Sequence, residues 1–201
     1  KNKEEDYYTC LSKLAEYAGY ITINISSPNT KGLRDFHGQE EMKKLFSGLN
    51  EIIRKKKIKC PITVKISPDI NDNEVSKIIE LVSRHNIQGV IVSNTTDSNR
   101  DNLSDIKKHE TGGLSGKPLK DISTNLIKKF YSETKGKIKI IGVGGVDSGK
   151  SAFEKIAAGA DAVQLYTGMV YKGPSIVKEI KKDLISILKK ENLKNISEAV
   201  G

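Results

Sequence analysis

The sequence predicts an α/β protein in which helices cover a parallel sheet. Five short apolar, β-branched runs alternate with helical patterns, and no hairpin signal separates any two of these runs. Such a sheet belongs either to a (β/α)8 barrel or to an open, doubly wound fold. A complete barrel needs about 250 residues. On the barrel interpretation, the 201 residues hold about the last five β/α units and lack about three strands.

Each predicted strand is followed, at its carboxyl end, by a cluster of polar residues or glycines. In chain order the strands are YITINI (20–25), ITVKI (62–66), GVIVS (89–93), IKIIGV (138–143) and AVQLY (162–166). The carboxyl ends of parallel strands meet at one edge of the sheet, where α/β proteins place their functional sites. The sequence therefore predicts a site at this edge.

Helical patterns fill the intervals between the strands. The third begins at an Asn/Asp cap, and the last begins with Pro174 at a natural first helical position. The predicted helices are 4–18, 38–57, 71–86, 121–134, 148–159 and 174–191. Their apolar stripes predict that each packs one face on the sheet. No linker or composition break divides the chain, so residues 1–201 are predicted to belong to one domain.

Composition argues against several classes of function. The formal net charge is +9, but lysines alternate with acids and aromatic residues make up only 5% of the chain, so we expect no nucleic-acid partner. No run of 18 apolar residues predicts a membrane span. No second ligand pairs with His37, His85 or His109, and a metal site is not predicted.

A glycine-rich stretch, GVGGVDSGKS, allows two interpretations. Gly144, Gly149, Lys150 and Ser151 match the nucleotide P-loop pattern between an apolar run and a helical one. However, a P-loop protein needs an Asp at the end of a later strand, and the next run ends in Tyr166 instead. The alternative is the phosphate site that (β/α)8 enzymes often build after strands seven and eight.

Six motifs in this order and spacing resemble the dihydroorotate dehydrogenase family. They are NISSPNTKGLR (24–34), VKISPD (64–69), VSNTT (92–96), TGGLSGKPL (111–119), IIGVGGVDSG (140–149) and VQLYTG (163–168). The resemblance implies an FMN-containing (β/α)8 barrel, of which this chain is the C-terminal portion. It also implies oxidation of dihydroorotate to orotate in pyrimidine (UMP) biosynthesis.

The resemblance also implies roles for single residues. Ser27 occupies the position of the catalytic base, and a serine there is typical of the class that passes electrons to a quinone. Substrate contacts are expected from Asn24, Asn29, Asn94 and Thr95. FMN contacts are expected from Asn24, Lys65, Ser93, Ser115, Gly116, Gly144, Gly145, Tyr166 and Thr167. Lys65 would also stabilise charge on the flavin, and strand alternation points it into the barrel.

The quinone class implies association with the bacterial or mitochondrial inner membrane, through N-terminal residues outside these 201. A partial barrel also implies that the chain could be inactive alone. Three other functions stay open at this point: a P-loop NTPase, a different flavin barrel and an interaction module without catalysis.

Overall fold

Five parallel strands form a single sheet in chain order. The computed structural model describes residues 3–30, 32–98, 100–101 and 103–201, so Lys31 of the first motif lies outside the described residues. The strands are β1 (Ile21–Asn24), β2 (Ile62–Lys65), β3 (Gly89–Val92), β4 (Lys139–Val143) and β5 (Ala162–Gln164), each paired in parallel with the next.

This strand order decides between the two predicted architectures. A doubly wound sheet reverses its order at a switch point. The order β1-β2-β3-β4-β5 has no reversal, as in consecutive units of a (β/α)8 barrel. The barrel prediction is confirmed, with five of its eight strands in this chain.

Seven α-helices lie among the described residues. They are α1 (Lys3–Leu14), α2 (Gln39–Lys56), α3 (Asp72–Arg84), α4 (Lys120–Thr134), α5 (Gly149–Ala157), α6 (Thr167–Lys172) and α7 (Ile176–Lys190). Asn71 caps α3 and Ser148 caps α5, each in a reciprocal capping box. These caps fix where the two helices begin, and so where the preceding loops end.

The core lies between the sheet and its covering helices. Its fully buried residues include Val64 of β2, Val90 and Val92 of β3, Phe46 of α2 and Phe130 of α4. A second, smaller cluster joins α5 to α7. This packing holds the strands in register and leaves their carboxyl ends free to carry loops.

At the C-terminal end of the chain, two boundaries and one helix differ from the sequence predictions. The fifth strand ends at Gln164 rather than Tyr166 because Tyr166 adopts a non-strand conformation before the short helix α6. The sequence did not predict α6, which is only six residues long and has no side-chain cap. Pro174 was predicted at the first helical position of α7, but it lies in a turn, and α7 begins at Ile176.

Candidate active site

A cavity of about 400 Å³ opens at the carboxyl ends of β2 to β5. Its size is in the range of small-molecule sites. Most of the predicted site residues line it, and they come from five separate segments of the chain. These residues are Lys65, Ser93, Asn94, Thr95, Ser115, Gly116, Gly144, Gly145, Tyr166 and Thr167.

Gly144 and Gly145 line one end of the cavity, the glycine end, at positions where a side chain would clash with its neighbours. Gly145 has φ +70°, and a Cβ at this residue would lie 2.6 Å from the Cβ of Lys120. Gly144 has φ +117°, and its Cβ would lie 2.9 Å from the hydroxyl of Ser123. Both glycines thus lie against the first turn of α4, in backbone conformations that other residues rarely adopt.

The backbone at this end offers hydrogen-bond donors. Within the described part of the chain, the N–H groups of Gly116, Gly144 and Gly145 donate to no protein acceptor. The side chains of Lys117 and Lys172 line the same cavity. Free N–H groups on glycines beside ammonium groups are the donors that a phosphate requires. The donors at the glycine end therefore suit the phosphate of a cofactor.

Lys65 lines the same cavity from the end of β2. Its strand neighbours Val64 and Ile66 are fully buried on the helix side, so Lys65 faces the cavity as predicted. Among the described residues, no carboxylate pairs with its ammonium group. Burial lowers the pKa of Lys65 below its ordinary value. A half-buried cation without a partner favours an electron-rich ligand at this place.

The loop after β1 carries Ser27 beside the cavity rather than in its lining. Asn94, which lines the cavity, is hydrogen-bonded to the β1 strand end and its loop. Its Nδ2 donates to Asn24 Oδ1 at 3.2 Å and to Ser26 Oγ at 3.0 Å. Ser27 Oγ accepts from the Asn29 N–H at 3.3 Å, and its hydroxyl donates to no acceptor among the described residues. The structure thus places Asn24, Ser27 and Asn29 at the rim, outside the residues that line the cavity.

Gly113 holds this loop against the loop after β3. Its N–H donates to Asn29 Oδ1 at 3.2 Å. A Cβ at Gly113 would lie 1.9 Å from Thr95 Oγ1 and 3.0 Å from Pro28. The predicted substrate residues from the two loops consequently meet at one rim of the cavity.

Arg34 ties three strand-end loops together, and the sequence analysis did not single it out. Its guanidinium donates to both oxygens of Asp97, after β3, at 2.9 and 3.0 Å. It also donates to Asp69, after β2, at 3.2 Å and to the Thr95 carbonyl at 3.5 Å. Arg34 follows β1, so one side chain joins the loops of β1, β2 and β3.

We expect Arg34→Met to destabilise the protein by about 1–3 kcal/mol, because Asp69 loses its charged partner where water reaches it poorly. The Arg34 guanidinium holds the pKa of Asp97 below its ordinary value. A lowered folded-state pKa gives stability above the unfolded value, about 3.9, that is lost as pH falls through the folded pKa.

The urea midpoints of the two proteins should therefore differ most near pH 7 and converge toward pH 3. Lys3→Met is the matched control, since its ion pair with Asp35 is exposed. An equal difference in midpoint at both pH values would contradict this role of Arg34.

Other lining residues also went unpredicted. Lys117, Tyr171 and Lys172 line the cavity, and Lys172 Nζ donates to the Asp147 carbonyl at 2.9 Å. Tyr171 and Lys172 lie on α6, the helix that the sequence did not predict. Their only signal was position, a few residues after the last strand-end motif.

The P-loop interpretation does not fit the geometry. Lys150 is exposed in the first turn of α5 and does not line the cavity. Ser151 Oγ instead accepts from the N–H groups of Asp147 and Ser148, as the capping partner of Ser148. The lysine and the serine that a P-loop turns toward the phosphates are therefore directed elsewhere.

The described residues contain neither a cluster of metal ligands nor a helix that could span a membrane. In the ranges 3–30, 32–98, 100–101 and 103–201, no group of three or more His, Cys, Asp or Glu side chains could hold a metal ion. No helix in these ranges is long and apolar enough to cross a membrane.

The fold and the site together define a (β/α) barrel chain with a cavity at the carboxyl ends of its strands. The chain belongs to the dihydroorotate dehydrogenase family, whose model matches residues 1–188. Among curated proteins, it is 43% identical over 201 residues to the mitochondrial dihydroorotate dehydrogenase (quinone) of Arabidopsis thaliana. It is 47% identical over 183 residues to the dihydroorotate dehydrogenase (quinone) of Klebsiella pneumoniae strain 342.

These alignments cover 98% and 88% of this chain, but 44% and 54% of the two relatives. The chain thus spans about half the length of the curated proteins it matches. A crystal structure of the Eimeria tenella enzyme in complex with ferulenol superposes with a TM-score of 0.96 at 34% identity. It covers 100% of this chain, which covers 58% of that structure.

Proposed function

We propose that the protein containing this chain oxidises dihydroorotate to orotate with FMN and passes the electrons to a quinone, in pyrimidine biosynthesis. One observation carries the proposal. Among the described residues, one cavity combines glycine N–H groups that donate to no protein acceptor with a Lys65 ammonium group that pairs with no carboxylate, and it borders the amides and hydroxyls beside Ser27. The quinone names of the curated relatives support the acceptor.

The residues that line the cavity offer a partner for each part of FMN. Its phosphate would be held by backbone N–H groups of Gly116, Gly144 and Gly145, with Tyr166 and Thr167 closing the same end. Thr167 Oγ1 donates to Ser115 Oγ at 2.9 Å, which fixes the two loops relative to each other. FMN supplies the two-electron acceptor chemistry that none of the twenty side chains can supply.

Lys65 and Ser93 would contact the ring system. Lys65 brings a positive charge to the part of the cavity where electron density would accumulate during the reaction, and burial strengthens that interaction. Ser93 is buried at the end of β3, and its hydroxyl donates to the Asn94 carbonyl at 3.2 Å. Asn24 would contact both cofactor and substrate from the neighbouring strand end.

The rim residues would bind and deprotonate the substrate. Asn24, Asn29, Asn94 and Thr95 offer amide and hydroxyl groups that match the alternating donors and acceptors of a flat pyrimidine ring. Ser27 would accept the proton from C5 of dihydroorotate. A serine hydroxyl is a weak base, so Ser27 requires a site without bulk water and an onward path for the proton.

The remaining parts of the proposal concern the whole protein. We infer that residues 1–201 are the C-terminal portion of a single FMN-binding barrel domain, since the sheet begins and ends on unpaired edge strands. We also infer that the protein lies at a mitochondrial or bacterial inner membrane, through residues outside this chain. The names of the relatives support the mitochondrial or bacterial setting.

The electron acceptor tests this function. With the 201 residues in their native full-length protein, dihydroorotate should be oxidised in the presence of a soluble quinone analogue. Replacing the quinone by NAD⁺ should leave the rate at background. Orotate formation, followed by its ultraviolet absorbance, measures both. Turnover with NAD⁺ alone, or with neither acceptor preferred, would contradict the quinone assignment.

A further inference from the structure

Lys155 is a fully buried charged residue that the proposed chemistry does not use. It lies on α5 with no exposed surface. Its Nζ donates to Ser123 Oγ at 2.5 Å, to Thr124 Oγ1 at 3.1 Å and to the Lys120 carbonyl at 3.3 Å. All three acceptors belong to the first turn of α4. Burying a lysine without a carboxylate partner is costly, which calls for an explanation.

Ser123 connects this ammonium group to the glycine end of the cavity. The Ser123 hydroxyl lies 3.3 Å from two carbonyl oxygens, those of Lys120 and Gly144. It has one proton to donate. Because Lys155 donates both to Ser123 Oγ and to the Lys120 carbonyl, it favours the arrangement in which Ser123 donates to Gly144.

The Gly144 carbonyl shares a peptide unit with the N–H of Gly145. A carbonyl that accepts a hydrogen bond makes the N–H of the same peptide a stronger donor, and chains of such bonds reinforce one another in a buried setting. The Gly145 N–H is one of the free donors of the cavity. The charge of Lys155 thus strengthens the Gly145 N–H as a donor, through the Ser123 hydroxyl and the Gly144–Gly145 peptide.

We propose that Lys155 is a positioning residue for the cofactor phosphate, acting through Ser123 and the Gly144–Gly145 peptide from behind the cavity wall. The inference rests on the proposed function, because it requires a phosphate at the glycine end. A neutral Lys155 amine would accept a hydrogen bond from the Ser123 hydroxyl, and the Gly144 carbonyl would then lose its donor. Phosphate affinity therefore depends on the charge of this one buried side chain.

The charged groups around Lys155 come from both packed helices. Asp121 and Lys120 lie on α4 and Glu154 on α5, and Lys120 pairs with Glu154 at 3.0 Å. This pairing raises the pKa of Lys120 above its ordinary value. Burial lowers the pKa of Lys155 to about 8. Lys155 consequently loses its charge between pH 7 and 9, where the FMN phosphate is already a dianion, since the second pKa of a phosphate monoester is about 6.

Riboflavin lacks the phosphate of FMN, so the difference between the two binding affinities measures the contribution of the phosphate. The apoprotein of the full chain is titrated with each flavin, by quenching of flavin fluorescence. We expect Lys155→Met to weaken FMN binding by about tenfold to a hundredfold, the range of hydrogen bonds that a charge reinforces. Riboflavin binding should stay within about twofold, since no phosphate contact is lost. Lys150→Met, on the exposed face of the same helix, is the control and should change neither.

The pH profile gives a second readout that a packing role would not produce. Wild-type affinity for FMN, relative to riboflavin, should fall from pH 7 to pH 9, whereas the Lys155→Met profile should be flat. Stability should change in the opposite direction. The folded-state pKa of Lys155 lies below the unfolded value of 10.5, so this group's contribution to stability rises with pH between about 8 and 10.5.

Ser123→Ala covers the case in which Lys155→Met does not fold. It retains the charge but removes the relay, so FMN affinity should fall and lose most of its pH dependence. Unchanged FMN binding in a folded variant, or equal losses of FMN and riboflavin, would overturn the inference while the proposed function stands. A wild-type protein that binds neither flavin would instead overturn the proposed function.

Discussion

Replacing Ser27 by alanine is expected to slow dihydroorotate-driven bleaching of the bound flavin by about 10²–10⁴-fold, the usual contribution of a positioned general base. FMN affinity should not change, because Ser27 does not line the cavity. The variant loses one contact within the loop, the hydrogen bond that Ser27 Oγ accepts from the Asn29 N–H, but the loop should keep its position because Asn94 and Asn29 still hold it to its neighbours. Stopped-flow absorbance under anaerobic conditions measures the bleaching rate.

Two further variants make this result specific. Ser98→Ala removes an exposed hydroxyl from the loop after β3 and should bleach at the wild-type rate. Ser27→Cys retains a group able to accept a proton, and it should recover part of the rate as pH rises and the thiolate forms. A Ser27→Ala protein that bleaches normally would show that another group takes the proton.

Gly145→Ala is expected to weaken FMN binding by about 10- to 100-fold. The residue has φ +70°, and an added Cβ would lie 2.6–2.9 Å from the Cβ, Cα and N of Lys120. Most of these contacts are with backbone, so the loop must move, and strain of about 1–3 kcal/mol corresponds to that loss of affinity. The movement displaces the Gly145 N–H from the phosphate position.

Gly136→Ala is the matched control for this variant. Gly136 has φ +75°, but its nearest contact would be Tyr131 at 3.6 Å, in the turn before β4 at the opposite end of the sheet. The two variants share the backbone strain and differ in the clash and in proximity to the cavity. Both should unfold at lower urea, but only Gly145→Ala should lose FMN affinity. Equal FMN affinities would contradict the phosphate role of this loop.

Local patterns were sufficient to predict the five parallel strands, whereas the choice between a barrel and a doubly wound sheet depended on the strand order. Each β-branched run between turn residues became a strand, because a strand buried on both faces needs continuous apolar residues. The cap at Asn71 was visible because capping is decided within one turn. Helix α6 was missed for the same reason, since TGMVYK has no cap and exposes Val170 and Tyr171.

The site was predicted to the extent that its residues lie at strand ends. Lys65 and Gly145 line the cavity as expected, because the ends of parallel strands converge. Arg34 and Lys155 depend on partners that are 31 or more positions away in the sequence, and no local pattern identifies such partners. One feature of the sequence indicates that Lys155 is buried. It lies three residues after Ala152 and one before Ile156, on the apolar stripe of α5.

An anaerobic visible spectrum tests the central claim most directly, namely that the strand-end cavity holds FMN beside the dihydroorotate site. The protein, with FMN bound, is recorded before and after one equivalent of dihydroorotate is added. We expect the flavin absorbance near its long-wavelength maximum to disappear and orotate to form in equal amount. Bound flavin that stays oxidised in the native full-length protein would contradict the claim.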